Sequence, residues 1–216
     1  MNPARSTILS RLRDAGAHPV SSNNHSYSSW QTDSDEEREQ RFVEAMIASH
    51  AEVISTKVEL LESTLTEVVA TKQLKRIAIG KDGEFIHEIQ QASGQSDVIS
   101  FDQDIREWKH ELFEQVDAGI THCLAGIADT GTLVLWPGTD EPRTLSLIPP
   151  THVALLKRST LSNNFAELIR QQAWHIGMPT NAILVSGPSK TADIQQTLAY
   201  GAHGPKELIV ILIEDR

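Results

Sequence analysis

Cysteine is almost absent from this sequence: Cys123 stands alone among 216 residues. One thiol excludes an internal disulfide, a four-thiolate zinc site and an iron–sulfur cluster held by this chain by itself. The expected setting is therefore reducing and intracellular, with no cofactor implied and electrons stored elsewhere. Long apolar runs are missing too. The longest, Leu208 to Ile213, has six residues, far short of the ~20 that a membrane helix needs. The opening stretch MNPARSTILSRLRDAG has no continuous apolar region and no small-residue cleavage pair, so it does not read as a secretory signal, and a cytoplasmic protein without a membrane span is expected. Positive charge is in short supply, with 19 Lys and Arg against 29 Asp and Glu and a net charge of -10. A nucleic-acid backbone or an anionic lipid surface is a poor partner for such a chain. Several catalytic signatures are also missing. The nine histidines form no HExxH, so no metal site is expected, and no GxSxG marks a nucleophile. Cys123 reads as a small apolar side chain.

What is present suffices for one core. With 39% hydrophobic residues, a chain of this length removes roughly 70% of its unfolded surface from water on folding. Residues 2–14 place Ile8 and Leu12 four apart and end near Gly16, as a short amphipathic helix does. Residues 19–36 are crowded with serine, asparagine and acids and read as a linker. Trp30 within them is either a tether onto the domain or an ordinary loop aromatic, and the latter is the commoner case. The sequence thus divides into an arm and linker over residues 1–36 and a domain over 37–216.

From Asp35 onward, helical spacing runs through Phe42, Met46 and Ile54 to Val68. The AEVIS stretch favours a break, with a strand at Glu52 to Ser55 between two helices, over one long helix. Further on, strands are expected at Arg76 to Gly80, Asp97 to Ser100, Gly119 to Leu124, Thr132 to Trp136, His152 to Lys157, Asn181 to Ser186 and Leu208 to Ile213. Helices are expected at Glu84 to Ala92, Ile105 to Val116 (with Trp108, Leu112 and Phe113 on one face), Asn163 to Trp174 and Thr191 to Tyr200. Alternation of helices with continuously apolar strands indicates an α/β sheet covered on both faces. The hairpin-like pair over 119–136 makes that sheet mixed rather than purely parallel.

Four stretches carry candidate chemistry. GIADTGT at 126–132 offers the carboxylate of Asp129 and the hydroxyls of Thr130 and Thr132 around Gly131; a polar turn capping a strand is the plainer reading. SGPSKTAD at 186–193 sets Ser186, Gly187, Ser189, Lys190 and Thr191 before the expected helix, a plausible anion cradle, with Asp193 in the first helical turn. It is not a nucleotide P-loop, because Leu184 and Ser189 stand where glycines would be required. GAHGP at 201–205 holds His203 between Gly201 and Gly204 on a constrained turn, where it serves either as an acid or base or as a structural hydrogen-bonding group. Arg143, in RTLSLIPPTH, is a natural partner for a carboxylate, or one half of a surface ion pair.

Taken in order, GIADTGTLVL, RTLSLIPPTHVALL, SGPSKTADI and GAHGPKEL resemble the lactate utilisation protein C family of LUD-domain proteins. Gln195 and Lys190 depart from the glutamate and arginine common at those places in the family. The resemblance implies a three-layer α/β/α fold with a mostly parallel mixed sheet, similar to the ribose-phosphate isomerase, glucosamine-phosphate deaminase and CoA-transferase group. It implies a role in oxidising L-lactate to pyruvate beside iron–sulfur partner proteins. In that setting Asp129, Thr130, Gly131, Thr132, Arg143, Ser186, Gly187, Ser189, Lys190, Thr191, Asp193, His203 and Gly204 are the candidate residues for a small carboxylate or related anion. His203 and Asp129 are the candidates for any catalytic role. The competing expectation is a stand-alone enzyme or binder of the isomerase or CoA-transferase type, acting on a phosphorylated or CoA-linked metabolite.

Overall fold

In a computed structural model, residues 3–14, 29–94, 96–101, 105–178, 180–192, 198–201 and 203–215 are described. The chain begins with α1 (Pro3–Asp14) and α2 (Asp35–Ala48), then runs β1 (Glu52–Lys57), α3 (Leu61–Thr71), β2 (Arg76–Ile79), α4 (Ile86–Ala92), β3 (Asp97–Ser100) and α5 (Ile105–Glu114). Its middle holds β4 (Ala118–His122), β5 (Ala125–Ile127), β6 (Thr132–Leu135), α6 (Thr144–Leu147), β7 (Thr151–Lys157), β8 (Leu161–Ser162) and α7 (Phe165–Gln171). It closes with β9 (Ile183–Val185), β10 (Lys190–Ala192), β11 (Leu198–Tyr200) and β12 (Glu207–Glu214).

The apolar run of β12 explains the architecture. Every residue from Leu208 to Ile213 is at most 2% exposed, so both faces of this strand are covered, as in parallel sheets. Ile209, Ile211 and Ile213 meet Leu61, Leu65 and Val68 of α3 and Ile89 of α4. Leu208, Val210 and Leu212 meet Phe42 and Met46 of α2 on the opposite face. Each such aliphatic side chain contributes about 1.5–3 kcal/mol by leaving water. Six strands in the order β1-β12-β7-β4-β2-β3 form this sheet, and every pairing in it is parallel. The expected three-layer α/β arrangement is thus present.

The antiparallel pairing anticipated around 119–136 belongs to a second sheet. There β8, β5, β6 and β9 lie side by side, with β6 antiparallel to both β5 and β9. Its outer face packs Ile127 and Val134 against Leu168 of α7 and Trp174.

The segment after Asp35 is split, as the AEVIS stretch suggested. Ser34 caps α2 by accepting a hydrogen bond from the Glu37 amide at 3.2 Å, and His50 takes a positive φ of 68° at its far end. Trp30 acts as a tether: the Arg41 guanidinium lies 4.8 Å from its ring centroid, and its carbonyl accepts from the Asn164 side chain at 3.0 Å.

Two expectations are overturned. The helix expected over 191–200 is replaced, in its described parts, by an antiparallel strand pair in which Lys190 pairs with Tyr200 and Ala192 with Leu198. Thr191 and Tyr200 are residue types that favour pleated strands, and the ladder between the two strands satisfies the backbone groups that a helix would have used. Phe113 is 55% exposed while its neighbour Leu112 is fully buried, because adjacent residues on a helix point about 100° apart. The placement expected for the Trp108 side chain lies outside the described residues.

Candidate functional site

The loop after β9 begins the site. At Gly187 the backbone takes φ +138°, and a Cβ there would lie 2.7 Å from the Ser49 carbonyl oxygen at the end of α2. Only glycine lets the loop lie that close. The Ser189 amide donates to the Pro205 carbonyl at 2.8 Å, and the Gly201 amide donates to the Ser189 carbonyl at 2.9 Å. These two bonds join sequence-remote loops into one wall. Ser186, Gly187, Ser189, His203 and Gly204 consequently line a single cavity of about 210 Å³, together with Ser146, His152 and apolar residues that include Leu184 and Leu208.

Other predicted residues sit around this wall. Thr130, Thr132 and Ser186 form a hydroxyl chain with 2.7 Å links, so the 126–132 loop reaches the cavity through hydrogen bonds. Gly131 turns the backbone close against Ala45 of α2. Asp129 faces away: its carboxylate meets Arg41 at 3.1 Å and is 14% exposed. Arg143 lies in a separate small recess with Thr121, Trp136 and Glu141, which shares Ser146 with the cavity. Lys190 is exposed on β10 and Thr191 half-buried, so these two residues lie on a strand rather than before a helix as expected. Asp193 lies outside the described residues.

Sequence reasoning missed the buried end of the cavity. His152, the second residue of β7, is 1% exposed, and its Nε2 lies 2.8 Å from the Thr121 hydroxyl. Burial lowers its pKa from the usual 6.5 to about 4, so the ring is neutral at physiological pH. A lone histidine after two prolines in an apolar stretch reads as core; the available signal was its place at the start of a strand beside a glycine-lined loop.

A second constellation was also missed, three positions further along the sheet, at the carboxyl end of β4. There the Glu141 carboxylate accepts from the His122 amide at 2.9 Å and meets Nδ1 of the same residue at 2.8 Å. The Phe85 amide donates to His122 Nε2 at 3.3 Å, and a Cβ on Gly83 would lie 2.3 Å from the ring. His122 ends β4, whose neighbour β2 leads off towards β3 while β4 leads towards β7. Such a divergence at the carboxyl ends of strands is where open α/β sheets commonly hold ligands. Here both imidazole nitrogens are already engaged. Cys123 follows, and burial together with the Glu141 charge pushes its thiol up, away from thiolate chemistry.

The LUD domain family model matches residues 39–213. An uncharacterised protein from Neisseria meningitidis serogroup B is 38% identical over 97% of this chain and 93% of its own length. The Bacillus subtilis lactate utilization protein C is 31% identical over 77% of this chain and 74% of its own. This chain belongs to the LUD-domain family. In this LUD domain the match spans both ends of the sheet, from within α2 to within β12, and so contains the whole cavity. The crystal structure of a DUF162 family protein from Deinococcus radiodurans shares the fold, with TM-score 0.62 and 21% identity over 83% of this chain and 98% of that one. Among the described residues, no helix is long and apolar enough to cross a membrane.

Proposed function

We propose that this LUD-domain protein serves L-lactate utilisation as the subunit that holds a small carboxylate, while iron–sulfur partner proteins accept the electrons released when lactate becomes pyruvate. The observation that carries this reading is the 31% identity to lactate utilization protein C over three quarters of each chain. The geometry supports it: two serines and a histidine at the mouth of one cavity offer hydrogen bonds to a carboxylate. Thermal unfolding of the full chain with L-lactate or pyruvate at about 100 times Kd should raise apparent stability by about 2.7 kcal/mol. His203→Ala should weaken that gain, and the chain should co-purify with iron–sulfur proteins. No shift with either acid and no co-purification would remove this reading.

A second reading, a stand-alone enzyme on a phosphorylated or CoA-linked metabolite, draws on the His122–Glu141 pair at the carboxyl ends of the strands. Stabilisation by a sugar phosphate or an acyl-CoA, and by neither lactate nor pyruvate, would favour it.

A further inference from the structure

The cavity is chemically asymmetric. His203 at its mouth is exposed, while His152 and Ser146 at the other end are 1% and 4% exposed. Between them the walls are largely apolar, with Leu184, Val185 and Leu208 among them. The Ser146 hydroxyl donates to the Arg143 carbonyl at 3.0 Å, which commits its proton. His152 differs, because Nε2 is anchored by Thr121 and Nδ1 has no hydrogen-bond partner among the described residues. Because His152 lines the cavity, a ring nitrogen without a protein partner is available there to a molecule held in it.

Building on the carboxylate reading above, we propose that His152 is the specificity-determining residue of this cavity. Its Nδ1 pairs with the oxygen on the carbon next to the carboxylate of a 2-hydroxy or 2-oxo acid, while the carboxylate lies towards Ser189 and His203. The Thr121 partnership makes the site fit both members of that couple. When the threonine hydroxyl donates to Nε2, the proton of the neutral ring is on Nδ1 and donates to a keto oxygen. When Nε2–H instead donates to the threonine oxygen, the bare Nδ1 accepts from a substrate hydroxyl. A hydroxyl rotates between these roles without moving the backbone, so substrate and product are held in one pose. An acid lacking that oxygen leaves Nδ1 unpaired and is penalised.

Isothermal titration of the full chain with L-lactate, pyruvate and propionate tests this, since propionate has the carboxylate and the carbon skeleton but no oxygen at the second carbon. Wild type should bind lactate and pyruvate on the order of tenfold or more tightly than propionate. His152→Leu should bind all three acids within about twofold of one another, through the carboxylate contacts that remain. Thr121→Val keeps the imidazole but removes its anchor, and should narrow the preference even if the histidine variant fails to fold. Equal binding of propionate by wild type, or an undiminished preference in Thr121→Val, overturns the role of His152 while leaving carboxylate binding intact. Absence of binding by all three acids instead overturns the carboxylate reading, and the role of His152 falls with it.

Discussion

His152 and His122 sit on adjacent parallel strands, three positions apart in register, and meet opposite fates. His152 lies at the amino end of β7, 1% exposed, with a hydroxyl on one nitrogen and a cavity beside it. His122 lies at the carboxyl end of β4 with its side chain 22% exposed, held by a carboxylate on one nitrogen and a backbone amide on the other. Loops carrying Gly83, Phe85 and Glu141 close on the His122 ring, whereas His152 lines a cavity with one ring nitrogen that has no partner among the described residues. The site proposed above follows from that difference rather than from fold position alone.

The largest expected effect is a pH dependence of stability carried by His152. Because the folded chain holds His152 with a pKa near 4 against 6.5 unfolded, the unfolded state binds more protons in between. Stability is then complete above about pH 6.5 and is lost as pH falls towards 4, by up to about 3 kcal/mol from this residue. Urea unfolding across that range should show this slope, and His152→Leu should flatten it. An unchanged slope would mean that His152 is not buried neutral.

A smaller effect is expected at the cavity wall. Gly187→Ala adds a Cβ that meets the Ser49 carbonyl oxygen at a backbone angle that side chains rarely adopt. A loss of about 2 kcal/mol is expected from strain and overpacking, accompanied by weakened carboxylate binding. A stable variant with intact binding would show that the 186–189 loop does not shape the cavity.

Smaller still is the effect at the His122–Glu141 pair. Glu141→Gln weakens the two-point hold on His122, and its partial exposure limits the loss to about 1 kcal/mol. Binding of lactate or pyruvate should stay unchanged. A binding loss larger than that of His203→Ala would reverse the comparison drawn between the two histidines.

Much of the fold was legible in the sequence because burial on both faces writes a continuous apolar run, as from Leu208 to Ile213, that no amphipathic helix would carry. The break after α2 was legible from the alternation in AEVIS, and from the unusual length that one unbroken helix would have had. The antiparallel pairing of 190–192 with 198–200 was not, since Leu198 and Tyr200 suit a strand as well as a helix face, and their pairing depends on a partner segment elsewhere in the chain. In the site, Gly187 and Gly204 drew attention to loops that meet at one cavity, because close backbone approach needs glycine. Asp129 was legible as a polar loop residue, but its pairing with Arg41, 88 residues away in sequence, was not. His152 stayed hidden because its role depends on Thr121, a strand neighbour 31 residues distant.

The most direct test follows the histidine ring signals of the full chain by ¹⁵N-resolved NMR during titration with pyruvate, with resonances assigned through His152→Asn, His203→Asn and His122→Asn. The His152 and His203 signals should shift together and saturate at one Kd, with the His122 signals unmoved. A saturating shift confined to His122 would place the ligand at the carboxyl ends of the strands and contradict the account.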